Sequence, residues 1–271
     1  MVARLQKPFG TAPLIDLGDS LSNGQVAWWL ANEGLGTKLT NIANRNRFAG
    51  TLQSGATWQK STIGNNIALD GTATSYVDLG TDQLLAGSTP FTMHWLEFVG
   101  TSPPTFAAPA CFMPIGGSQR FCMVHEDTNA SYRYFSVGLG SAVNMIQFPA
   151  APTLASGVGI WRQWILTGAK GMASTTTSDF ALYVDAVKYN ASGAGGGLSA
   201  QTANLNYLGW DGADSKWKGA QDSFRVWSRV LGPAEITRLV ANPYAGLKMR
   251  KPLIGSAAAP AVNTGNMFLA F

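Results

Sequence analysis

Cleavage of a glycosidic bond requires two carboxylates flanking it, about 5–5.5 Å apart in a retaining site. On a single strand this means acids two or four residues apart, because alternate side chains share a face. The glutamates are Glu33, Glu97, Glu126 and Glu235, and none has an acid at either distance. Glu126 and Asp127 are adjacent, which sends them to opposite faces of a strand. Asp211 and Asp214 are three apart, in a stretch with loop composition. The pattern predicts a chain without hydrolytic chemistry.

Other chemistries are equally poorly provided for. The two histidines, His94 and His125, lack the spacing of a metal pair, and no Ser-centred nucleophile turn is present. His94 lies in an aromatic run and reads as a strand-face residue. The glycine run at 193–197 has no Lys-Ser/Thr after it, so it reads as a loop and not as a phosphate cradle. Cys111 and Cys122 are too few for a disulfide framework or a zinc site. Buried free thiols are the expectation, with a single cross-strand bridge as the alternative. The residues best suited to hold a ligand are Trp210, Asp211 and Trp217, aromatic rings beside an acid that could stack on a sugar. The alternative is that both tryptophans pack at the edge of the fold.

The elements that must position these residues are short. Only 13% of the 271 residues are charged while 46% are hydrophobic, which excludes disorder and coiled coil and provides for a large core. No apolar run approaches the ~20 residues that span a bilayer, and Met1 to Lys7 is followed by no apolar signal region. Runs such as Phe91 to Val99, Phe121 to His125, Trp161 to Thr167 and Ser223 to Trp227 alternate with turn clusters. They predict ten to twelve short strands, the spacing of a β-sandwich. One helix is expected. Pro233 opens it, Ile236, Leu239 and Val240 form its apolar stripe, and Asn242-Pro243 ends it.

Several blocks resemble the laminin-G-like, concanavalin-A-like superfamily. They are Ala68-Leu69-Asp70-Gly71, Tyr76-Val77-Asp78-Leu79-Gly80, Phe91 to Trp95, Trp161 to Thr167, Leu182-Tyr183-Val184-Asp185, Lys218 to Trp227, and Leu231 to Leu239. They keep the family's order over residues 24–245. The resemblance implies an all-β fold: an antiparallel β-sandwich (jelly roll, concanavalin-A-like) with one short C-terminal helix and extended terminal arms. Ala186 stands where the family's hairpin has glycine, so a different turn is expected there. The glycoside hydrolases of the superfamily use a Glu-x-Asp-x-Glu strand that this chain lacks. Many such domains hold calcium on rim loops, which makes Asp185, Asp211 and Asp214 candidate metal ligands, calcium being the only cofactor implied. The alternative is that they are ordinary turn aspartates.

The opening Arg4 to Gly10, Leu21 to Trp29 and Asn32 to Gly34, and the close at Asn242-Pro243-Tyr244, are similar to laminin-G-like virion structural proteins of tailed phages. That similarity implies a place in the virion, as capsid decoration or cement, with major capsid, tail or fibre proteins as partners and a homo-oligomer, such as a trimer, as the assembly. The alternative is a carbohydrate-binding module on a tail fibre or a cell-surface protein, with host surface glycans as ligands. Three regions are expected: an extended arm (1–23), the sandwich (24–245), and a basic, apolar-tipped tail (246–271). The net charge of +4 supports that division, because Lys248, Arg250 and Lys251 put +3 on the tail and leave the body near neutral. Neither nucleic acid nor membrane is an expected partner. The residues expected to dock on a partner are Arg4, Lys7, Phe9, Lys248, Arg250, Lys251, Phe268 and Phe271.

Overall fold

In a computed structural model, the structure describes residues 13–85, 88–100, 106–114, 121–127, 133–139, 145–152, 155–171, 174, 176–192, 204–210, 212 and 216–248. Its strands, numbered in chain order, form two antiparallel sheets of eight. The first sheet runs β15 (Val187–Asn190), β14 (Phe180–Val184), β13 (Trp161–Gly168), β8 (Phe91–Val99), β17 (Lys218–Trp227), β6 (Gly64–Asp70) and β5 (Ala56–Ser61). A further strand, β2 (Gln25–Leu30), lies along the second half of β17. The second sheet runs β12 (Met145–Phe148), β11 (Arg133–Leu139), β10 (Phe121–Asp127), β9 (Phe106–Pro114), β16 (Asn204–Leu208), β7 (Val77–Asp78), β4 (Gly50–Leu52) and β3 (Lys38–Leu39). The expected antiparallel sandwich and the helix, α1 (Pro233–Ala241), are both present.

The core between the sheets is built from alternate residues of the central strands. Phe91, Met93 and Trp95 of β8 face inward with Trp164 and Leu166 of β13 and Phe224 and Val226 of β17. Trp95 stacks on Trp164 with ring centroids 5.9 Å apart and planes 9° from parallel. A polar/apolar alternation would follow if the other face met water, but β8 is buried on both faces.

Its outer face is covered by α1 and by both ends of the described chain. Leu21 is fully buried against Trp227, Leu231, Ile236 and Leu239. Trp227 donates from Nε1 to the Leu21 carbonyl. Strand β1 (Leu14–Ile15) pairs with β18 (Leu247–Lys248), and Arg238 of α1 is ion-paired to Asp19. The arm expected over 1–23 is therefore corrected for residues 13–23. Leu21 and Trp227 complete each other's burial, and such a contact stabilises by about 2 kcal/mol per large side chain. The tail boundary at 246 is corrected in the same way, because residues 246–248 belong to this cover. Lys248, expected to dock on a partner, lies 3.8 Å from Asp16 of its own chain. Arg4, Lys7, Phe9, Arg250, Lys251, Phe268 and Phe271 lie outside the described residues.

Under the cover, one row of opposed residues crosses three strands: His94, Arg225 and Trp28. Arg225 is fully buried. Its guanidinium lies over Trp28, 3.6 Å from the ring centroid, and donates to the Ala245 carbonyl at 2.9 Å. His94 is also fully buried. The Gln163 amide nitrogen donates to the Leu239 carbonyl at 2.7 Å, which leaves its second hydrogen for His94 Nε2 at 2.8 Å. The imidazole therefore accepts there and is neutral. Burial, and then the charge of Arg225, hold its pKa well below 6.5. The unfolded chain takes up a proton on this residue below pH 6.5 and the folded chain does not. The His94 contribution to stability thus falls as the pH is lowered below 6.5, by up to about 1.4 kcal/mol per pH unit. Denaturant titrations between pH 5 and 7.5 should show a shallower slope for His94→Gln than for the parent. Equal slopes would show that His94 does not carry this dependence.

The cysteine expectation is also corrected. Cys111 is disulfide-bonded. Register places Cys122, the only other cysteine in the chain, directly opposite it across β9 and β10.

Candidate functional site

The outer face of the second sheet carries the side chains best placed to meet a ligand. In an antiparallel sheet, directly opposed residues share a face. Register links Lys38 to Thr51, Thr51 to Asp78, Asp78 to Tyr207, and Tyr207 to Cys111. Lys38, Thr51, Asp78 and Tyr207 thus form one row running across the strands. Leu208, Val77 and Leu52, one position along, point into the core.

Two further rings close on Tyr207. Tyr76 precedes β7 by one residue and alternates onto the face of Asp78, with its ring centroid 5.1 Å from Tyr207 in an edge-on arrangement. Trp210 lies 4.6 Å from Tyr76 and 5.0 Å from Tyr207. Gly209 makes the intervening bend: its φ is +83°, and a Cβ there would fall 2.4 Å from Leu69 Cδ1. Tyr207 is 8% exposed and supports the other two, which are partly exposed. Asp78 accepts from the Gly80 backbone through Oδ1 at 2.8 Å, so its carboxylate is held beside the rings. Burial, and secondarily the Asp78 charge, raise both tyrosine pKa values. Both hydroxyls therefore remain protonated donors at neutral pH. Asn206 of β16 ties down the loop after β7, donating to the carbonyls of Gly80 (3.0 Å) and Asp82 (2.8 Å).

The residues proposed from sequence fare unevenly. Trp210 belongs to this cluster. Trp217 does not: it is 1% exposed and part of the core, so its role as a stacking surface is corrected. Its backbone N–H donates to the Gly209 carbonyl, and this turn sends the two tryptophans to opposite sides of the sheet. Asp211 and Asp214 lie outside the described residues. Asp185, expected as a calcium ligand, uses each of its oxygens in one hydrogen bond to a residue of β13. Oδ2 accepts from Arg162 at 2.8 Å and Oδ1 from the Gln163 backbone at 2.9 Å. Among the described residues, no group of three or more His, Cys, Asp or Glu is placed to hold a metal ion. The turn at Ala186 also differs from expectation. Asp185 and Ala186 have φ of +47° and +79°, so alanine adopts the two-residue hairpin geometry usually given to glycine.

Tyr76, Asp78 and Tyr207 were not among the site residues expected from the sequence, although Tyr76 and Asp78 lie in a block that carries the family resemblance. Their signal was the period-2 pattern of Tyr76-Val77-Asp78-Leu79 and Asn204 to Leu208. Which of the two faces is open was not visible in that pattern.

An antiparallel sandwich with an open aromatic and acidic face defines a lectin-like β domain. The chain belongs to the concanavalin A-like lectin/glucanases superfamily, whose laminin-G-type family model matches residues 69–237. No curated protein matches its sequence. Among solved structures, domain 4 of a GH43 extracellular arabinanase from Geobacillus stearothermophilus, in complex with arabinotriose, is similar at 15% identity with a TM-score of 0.58. That match covers 80% of this chain and 98% of that one. The binding domain of Paraclostridial Mosquitocidal Protein 1 matches at 14% identity and a TM-score of 0.60, over 82% of this chain and 52% of that one. A Trypanosoma rangeli sialidase in complex with sialic acid matches at 13% identity and a TM-score of 0.56, over 80% of this chain and 33% of that one. At these identities the likeness is one of fold.

Proposed function

We propose that the chain is a non-enzymatic module that binds a glycan on the outer face of its second sheet. The observation that carries this reading is the Tyr76–Tyr207–Trp210 cluster beside Asp78. Sugar rings present C–H faces that stack on aromatic faces, and their hydroxyls donate to a carboxylate held at the rim. The arabinotriose complex of the similar arabinanase domain supports the ligand class. Its non-enzymatic character is supported by how the three glutamates with described side chains are used. Glu97 is buried and accepts from Trp95 Nε1 at 2.8 Å. Glu235 pairs with Arg229, and Glu33 accepts from the Thr40 backbone.

A glycan array followed by calorimetry tests the reading. Trp210→Ala and Tyr76→Ala should each weaken binding about tenfold, equivalent to about 1.4 kcal/mol, without change in far-ultraviolet circular dichroism. Absence of binding to any glycan, or equal binding by the variants, would overturn it.

A second reading places the module on a tailed-phage particle as capsid decoration or cement, in contact with other virion proteins. The resemblance of its opening and closing segments to such proteins supports this. So does the β1–β18 pairing, which brings residues 14 and 248 together so that the segments beyond them start from one locus. A disulfide also suits a protein that works outside a reducing cytosol. Mass spectrometry of purified particles decides this reading: presence supports it, and absence overturns it.

A further inference from the structure

Polar side chains beyond Asp78 extend the candidate site toward the edge of the second sheet. The row through Tyr207 and Asp78 continues to Thr51 of β4 and Lys38 of the edge strand β3. Gln53 follows β4 by one residue, and its backbone N–H donates to the Tyr76 carbonyl at 2.9 Å. Register opposes it to Tyr76, one step beyond Leu52 and Val77, so it shares the face of that ring. A second row, Tyr76 and Gln53, thus runs beside the first.

These groups have hydrogen-bonding capacity to spare. Asp78 spends Oδ1 on the Gly80 backbone, which leaves Oδ2 as an open acceptor among the described residues. Gln53 is half-buried, and its side-chain amide bonds to no described residue. Thr51 is half-buried too; its Oγ1 accepts from Lys38 at 3.1 Å and keeps its own hydrogen to donate. Lys38 is exposed and holds two further N–H donors. The strip therefore offers both acceptors and donors, and a sugar hydroxyl uses both.

Resting on the glycan reading, we infer that the site takes a linear oligosaccharide of at least three units, laid across the strands. One unit stacks on Tyr76 and Trp210. The next bonds its hydroxyls to Asp78 and Gln53, and the third to Thr51 and Lys38. The dimensions agree. Tyr207 and Lys38 are three strand spacings apart, about 14 Å, the length of three sugar units in an extended chain. Aromatic stacking anchors one end of the chain, and the polar strip reads its length.

Calorimetry with arabino-, xylo-, manno-, cello- and galacturono-oligosaccharides of one to five units tests the inference. In at least one series the parent should gain about fivefold in affinity with the second unit and again with the third, each step adding one or two net hydrogen bonds. In Lys38→Met/Thr51→Val the gain at the third unit should vanish, with far-ultraviolet circular dichroism unchanged. Lys38→Met alone, a change at an exposed position, should lose part of it. Disaccharides bound as tightly as their trisaccharides overturn the inference, as does a third-unit gain that survives in full in both variants. Binding to array glycans but to none of the five series overturns it too. In each of these outcomes Trp210→Ala still weakens binding. If Trp210→Ala binds like the parent, or no sugar binds at all, the glycan reading itself falls.

Discussion

Gly219→Ala should fail to fold at 37 °C or lose about 3–5 kcal/mol of stability, at the upper end for a single substitution. Gly219 lies in β17 between Val99 of β8 and Leu69 of β6, and its φ is +149°. A Cβ there would sit 2.0 Å from the Phe98 carbonyl oxygen and 3.1 Å from the Gly100 nitrogen. Both are backbone atoms, one in β8 and one just past its end, so no side chain can rotate away. Relief requires the end of β8 to separate from the start of β17, between two of the inner strands of the first sheet. Gly36→Ala is the control for backbone conformation alone. Its φ is +71° and nothing lies within 4 Å of the added carbon, so it should cost only about 1 kcal/mol. Denaturant midpoints read both. A Gly219→Ala protein as stable as the Gly36→Ala protein would show that this close approach is not maintained.

Loss of the disulfide should cost about 3 kcal/mol, the chain-entropy value for a closed loop of roughly a dozen residues. Cys111 and Cys122 face each other across β9 and β10, and β11 and β12 extend the sheet beyond them. The bridge is therefore the covalent tie of the outer half of the second sheet. The first sheet has its own cover of α1 and the terminal segments. Under reducing conditions, or in Cys111→Ser, hydrogen exchange should rise first in β10 to β12 and leave β8, β13 and β17 protected. Tyr207 opposes Cys111, so glycan affinity should weaken with the loss of order. Uniform exchange across both sheets, or no change in melting temperature, would contradict this assignment.

How much could be read before the structure varies by element. The helix at 233–241 was legible from Pro233, the Ile236/Leu239/Val240 stripe and Asn242-Pro243, because each of those signals is local. The central strands were legible for the same reason, and their order along the chain marked the family. His94 illustrates the limit. Its strand was evident, but its fully buried, neutral state follows from α1 closing over it, and no neighbour in sequence encodes that. Trp210 and Trp217 make the same point. They are of one type, seven residues apart, each beside turn-forming residues. Only the bend at Gly209 and the bridge to Lys216 put one at the surface and the other in the core.

By itself, the sequence determined the all-β class, the family, the short helix and the lack of a glutamate with an acid two or four residues away. These depend on residue type, periodicity and fixed spacing, which short-range sterics and burial impose directly. Tertiary structure alone decided three other matters: how residues 13–23 and 246–248, at the ends of the described chain, are packed, which cysteine state holds, and which aromatic side chains share an open face. Each depends on pairings between residues far apart in sequence, such as Leu14 with Lys248, Cys111 with Cys122, and Asp78 with Tyr207. A one-residue slip in any such register would send every side chain of that strand to the opposite face. The site therefore exists only once the sheets have closed.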